Sequence, residues 1–296
     1  MAGLALLIAI LAVSTSAPLV RAAEPAPALV FATLRVGLAA LLLGALAGPR
    51  LRLLGRLPTR ERVLVVVAGL LLGAHFGVWI SSLYFTSTAA SVALVATQPI
   101  FAGLFGHLLL GDRVRGREVA GIAVAAVGCA VLGGGDWAHS SRAVTGDLLA
   151  VAGAVTAAGY LVVGRRMRVA VPLVPYLAAV NAVAALGLFG ATLVAGADLT
   201  GQAPKAYLAI AACAVLGSLV GHTLLNWSVR RIPTHLVTLA ILGEPVGASL
   251  LTWGFFAERP PIHAVAGGAV VLVGIGVAFV RRRDESSAPI TGAAPD

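Results

Sequence analysis

The chain has 296 residues, of which 59% are hydrophobic and 11% charged, where a soluble domain carries about 25% charged side chains. Too little polar surface exists to cover such a core, which excludes a water-soluble fold. The formal net charge of +9 does not mark a nucleic-acid binder, because the basic residues stand in short clusters between apolar runs.

A helix needs about 20 apolar residues to cross the hydrocarbon layer of a bilayer. Ten such spans can be placed, near 2–20, 28–48, 63–83, 88–110, 118–134, 145–164, 170–196, 206–227, 234–256 and 262–280. The expected fold class is therefore an all-α integral membrane protein with ten transmembrane helices. The first twenty residues lack a basic start, and further spans follow at once. They are read as a retained helix rather than a removed signal, although Ala22 and Ala23 imitate a cleavage site. The tail, residues 284–296, is polar and is expected to be disordered. Cys129 and Cys213 fall in apolar runs and are expected to be buried free thiols, and no metal-ligand spacing is present.

Basic residues set the orientation. Five arginines follow span 2, three follow span 4, three follow span 6, two follow span 8 and three follow span 10, which places sixteen of the 21 basic residues on one side. Arg21, Arg142, Lys205 and Arg259 fall on the other, and Arg35 lies inside span 2. Both termini are expected in the cytoplasm.

The chain also reads as duplicated. Gln98-Pro99, Asp112-Arg113, Gly121 and Gly128 recur 146 positions later as Glu244-Pro245, Glu258-Arg259, Gly267 and Gly274. His75 and His222 are 147 positions apart, so they align only after a shift of one residue. Each half, residues 1–134 and 145–283, holds five spans. Because five is odd, the second half must be inverted relative to the first. Inverted repeats recur in secondary transporters, with the solute site between them near mid-membrane.

Glu244 is the sharpest lead. It lies ten residues into span 9, about 15 Å of helix from its start. A carboxylate at that depth faces a protein interior or an aqueous cavity. There it can carry a proton across, bind an amine on a solute, or stay neutral and bond a neighbouring helix. Gln98 holds the matching position and can orient a solute but cannot carry a proton. Pro99 and Pro245 beside them free backbone carbonyls. His75 and Trp79 share one helix face at i and i+4, as do His222 and Asn226. Together they suit an aromatic pocket with polar points for a small organic solute, or plain packing between helices. His222 is a second candidate for proton coupling. Arg35 is expected to snorkel outward, to pair with an acid, or to attract an anionic solute. His107 and His235 read as interfacial. The turns at Gly111-Asp112-Arg113 and Ala257-Glu258-Arg259 read as structural helix exits. With no phosphate-binding loop and no catalytic constellation, the chain is expected to be neither an ATP-driven pump nor an enzyme.

These features resemble the EamA-type branch of the drug/metabolite transporter superfamily over residues 2–283. The resemblance rests on the two five-span halves, on Gln98-Pro99 through Gly111-Asp112-Arg113, on Gly243-Glu244-Pro245 through Ala257-Glu258-Arg259, and on the Arg35 segment LRVGLAALLL. It implies a multi-pass permease of the bacterial inner membrane, often an exporter of amino acids or related small metabolites and commonly proton-coupled. It also implies that the proline-bearing segments of the fourth and ninth helices border the cavity, which points to Gln98 and Glu244. The family's first helix commonly carries a Trp where this chain reads AVSTSAPLV. Two other readings compete: a membrane sensor or assembly partner that keeps a transporter fold, and a flippase for an amphipathic metabolite. Gly-rich helices also make a second copy of the chain a candidate partner.

Overall fold

The computed structural model describes residues 2–86, 88–133, 141–256 and 262–279. The Glu258-Arg259 turn, Arg281–Arg283 and the tail lie outside the described residues. The described chain is helical: α1 (Ala2–Ala22, interrupted at Thr15), α2 (Ala28–Ala47), α3 (Thr59–Phe85), α4 (Thr88–Val95), α5 (Gln98–Leu110), α6 (Gly116–Gly133), α7 (Ser141–Ala170), α8 (Leu173–Val194), α9 (Pro204–Ser228), α10 (Thr234–Ile241), α11 (Glu244–Phe256) and α12 (Ile262–Phe279). Among the described residues, eight segments are long and apolar enough to cross a membrane. The expected fifth and tenth spans are α6 and α12, and the apolar part of α12 is the shorter Val265–Phe279.

Spans 4 and 9 are each two helices rather than one kinked helix. The chain turns at Ala96-Thr97 between α4 and α5, and at Leu242-Gly243 between α10 and α11. At the first break Thr97 Oγ1 donates to the Leu94 carbonyl at 2.7 Å. At the second the Gly243 amide donates to the Ala240 carbonyl at 3.0 Å. Pro99 and Pro245 are each the second residue of the new helix, where a missing N–H leaves no intrahelical bond unmade. The prolines therefore start helices instead of bending them. In α9 the stretch Ala214–His222 is π-helical, and such a turn holds one residue more than an α-helix does.

Packing is close where glycines allow it. A Cβ at Gly121 would lie 2.7 Å from the Gly274 carbonyl, and one at Gly128 would lie 2.8 Å from the Gly267 carbonyl. α6 and α12 therefore cross antiparallel with their backbones almost touching, the small-residue contact that holds helices together in lipid. Gly69 and Gly73 bring α3 equally near Val183 and Ala184 of α8. Thr33 of α2 and Thr192 of α8 join their hydroxyls at 2.7 Å. Cys129 and Cys213 are buried and unbridged.

Candidate functional site: a central cavity

Helices α1, α2, α3, α4, α5, α7, α9, α10 and α11 all contribute to one central cavity. It encloses about 50 Å³, room for a few waters at roughly 10–15 Å³ each. Its polar lining is Ser16, Arg35, His75, Trp79, Gln98, Tyr160, His222 and Glu244. A wider groove of about 530 Å³ between α3 and α8 is lined by aliphatic side chains with Phe85 and Ser81, and carries no charged group. The chemistry sits in the central cavity.

Both breaks deliver their marked residue to this space. Gln98 and Glu244 are the first residues of α5 and α11 and line the cavity together with Pro245. The first amides of a helix have no intrahelical acceptor, and the helix dipole makes that end positive. The break next to Glu244 is clasped by α1, whose Ser14 hydroxyl donates to the Glu244 carbonyl at 3.2 Å.

His75 and His222 face each other across the cavity, with ring centroids 6.4 Å apart. His75 lies parallel to the Trp79 ring at 6.0 Å, and its Nδ1 meets the Gly153 carbonyl at 2.9 Å. Phe76 packs edge-on against His222 at 5.1 Å. Asn226 stands behind the lining rather than in it. It donates to the Tyr160 hydroxyl at 2.5 Å and to the His222 carbonyl at 2.8 Å. Its part in the site is to hold Tyr160, which does line the cavity. Pro99 is buried outside the lining.

Arg35 neither snorkels nor pairs. It is 1% exposed, and among the described residues no ion pair within 4.0 Å joins it to an acid. Its Nε donates to Ser218 Oγ at 3.0 Å, its Nη2 reaches Ser16 Oγ at 3.4 Å, and its guanidinium sits 4.3 Å from the Phe76 ring centre. Two hydroxyls and an aromatic face thus stand in for water around a buried cation. Snorkelling fails because the α2 face bearing Arg35 packs on α9, not on lipid.

Each end of the bundle is tied. At one end Asp112 pairs with Arg165, and Glu118 Oε2 meets both His235 Nε2 at 3.0 Å and the Arg115 amide at 2.8 Å. His235 is buried, whereas His107 is exposed. At the other end the Tyr84 hydroxyl donates to the Ala26 carbonyl at 2.7 Å, and Arg142 donates to the Tyr84 carbonyl at 3.1 Å. Sequence reasoning missed Tyr160, Ser218 and Glu118. Glu118 carried the one available signal, an acid at the mouth of an apolar span.

An all-helical membrane fold closed around a polar, aromatic cavity is that of a carrier of small molecules across a membrane. The chain belongs to the EamA-like transporter family, whose profile matches residues 1–134 and 144–280. No curated protein sequence matches it. A solved crystal structure, described only as that of a protein, superposes with a TM-score of 0.77 over 94% of this chain and 97% of its own. The two share 24% identity, and the likeness is one of fold.

Proposed function

We propose that this protein is a secondary transporter of the bacterial inner membrane that exports amino acids or related small metabolites, with a proton exchanged at Glu244. Its ten spans form two inverted five-span halves, α1–α6 and α7–α12, with both termini in the cytoplasm. The observation that carries the reading is the meeting of two broken helices at one cavity, one presenting Gln98 and the other Glu244.

Several features support the inversion. The family profile divides the chain at the same place as the repeat. Among the described residues, several helix contacts have a counterpart when the halves are exchanged: α1 packs on α9 as α7 packs on α3, α5 on α7 as α11 on α1, and α4 on α6 as α10 on α12. Gly121 meets Gly274 while Gly128 meets Gly267, which is the reciprocal contact of a twofold axis between antiparallel helices.

With room for only a few waters, the cavity must widen to admit a solute. Alternating access then requires the ties at the two ends to open in turn. His75, Trp79, Gln98, His222 and Glu244 line the solute site, Tyr160 joins them, and Asn226 and Pro245 shape it. The carboxyl group of Glu244 takes a proton from one side and releases it to the other, with His222 as its neighbour in the lining. The test is solute uptake into inverted vesicles under an imposed pH gradient. Wild-type protein accumulates solute, and Glu244→Gln protein does not. Unchanged accumulation in the variant rejects the coupling.

A further inference from the structure

We propose that Arg35 is the carboxylate-reading residue of the cavity, so that the cargo is a zwitterion held by its carboxylate at Arg35 and by its ammonium at Glu244. This rests on the transporter reading and names the chemistry of its cargo.

The argument begins with what Arg35 lacks. A guanidinium carries five N–H donors in a planar fork. Here Nε is taken by Ser218 and Nη2 by Ser16, while Nη1 is buried and has no acceptor. Trp79 Nε1, on the same lining, is also buried without an acceptor. An unmet donor on a buried cation is costly, and it persists where a ligand completes it. The fork suits a carboxylate, which accepts two parallel N–H bonds.

The guanidinium is also held in place. A Cβ at Gly217 would lie 2.8 Å from Arg35 Nη2 and 2.7 Å from Ser16 Oγ. Glycine at that position of the π-turn is what leaves the space. The Phe76 ring supports one face of the guanidinium at 4.3 Å. Glu244 lines the same cavity yet makes no ion pair within 4.0 Å of Arg35. An acid and a guanidinium thus line one small space without an ion pair between them. A molecule bearing both an anion and a cation fills the gap and neutralises each. The amide ends of α5 and α11 border the cavity and add positive potential, but the open Nη1 is what selects an anion.

The experiment uses the full chain in proteoliposomes and matched probe sets: L-leucine, L-leucinamide and 3-methylbutylamine, and L-phenylalanine, its amide and phenethylamine. Wild-type protein is expected to move at least one amino acid and to move its amide and amine about tenfold less or worse, the loss of one charge-assisted hydrogen bond. Arg35→Gln is expected to lose both the transport of the parent and the discrimination, and Arg35→Lys to keep part of each. If Arg35→Gln does not fold, Gly217→Ala retains the arginine but displaces it, and is expected to narrow the ratio of amino acid to amide. Transport of the amide or amine as readily as the parent overturns the proposal and leaves the transporter reading standing. Discrimination that survives in Arg35→Gln or Gly217→Ala also overturns it. Failure of the wild-type protein to move any probe takes away the amino-acid cargo and this proposal together.

Discussion

The two broken helices share a fold and differ in one functional group. In each, a short helix ends, two residues turn, and a second helix starts with its marked residue at the cavity and proline next. The first half places an amide there, Gln98, and the second an acid, Glu244. The ends of the bundle differ in the same spirit. The pair Glu118 and His235 ties one end, and the positions 146 residues away hold Ala264 and Ala89. Backbone geometry is common to the halves because it depends on turn and proline chemistry. Charge is not: under the proposed coupling, moving one solute against one ion sets unequal tasks for the two halves.

The comparison can be broken most sharply at the breaks themselves. Glu244→Gln makes the two positions alike and is expected to cut pH-driven accumulation by about 100-fold or more, since an amide carries no proton. Gln98→Ala is expected to weaken the apparent solute affinity about tenfold, the loss of a hydrogen bond, while leaving the response to the gradient intact. Vesicle flux with and without the gradient separates the two outcomes. A comparable loss of coupling in both variants would remove the division of labour.

Next in size is the asymmetric tie. Glu118→Ala leaves His235 without its hydrogen-bond partner in a buried setting and is expected to lower stability by about 1–3 kcal/mol, read as a fall in midpoint on thermal unfolding in detergent. A change within 0.5 kcal/mol, about the scatter of a surface substitution, would show that the pair bears no load. Gly128→Leu and Gly274→Leu come third. Each drives a side chain into the facing backbone, at about 1–3 kcal/mol or more, and reciprocity requires the two to be of similar size. A large inequality would speak against a twofold contact between α6 and α12. Smallest is Tyr84→Phe, which removes the hydroxyl bond to Ala26 at about 1 kcal/mol. Its expected signature is faster exchange of amides near residues 24–28, with little change in the unfolding midpoint.

Much of the fold was legible because the bilayer imposes length and composition on every span. The eight long apolar segments fall where hydropathy places them, and the Gln98 and Glu244 markers do reach one cavity. Three features were not legible. Gln-Pro and Glu-Pro inside apolar runs read as kinks, since sequence does not show that the two preceding residues leave the helix. Arg35 read as snorkelling, paired or drawing an anionic solute, because its depth was known and its facing was not. Asn226 shares a helix with His222, but packing turns it toward Tyr160 behind the cavity wall.

Composition and spacing alone determined that this chain spans a membrane as helices, that two stretches repeat at a fixed offset, and that one acid stands well inside an apolar run of the second. Hydrophobic periodicity could not go further, because in lipid the outward face of a helix is as apolar as the packed one. Which faces meet therefore depends on close contacts such as Gly121 with Gly274 and Gly217 with Arg35, made between residues far apart in the chain. Only the tertiary structure brought Arg35, Trp79 and Glu244 around one small space.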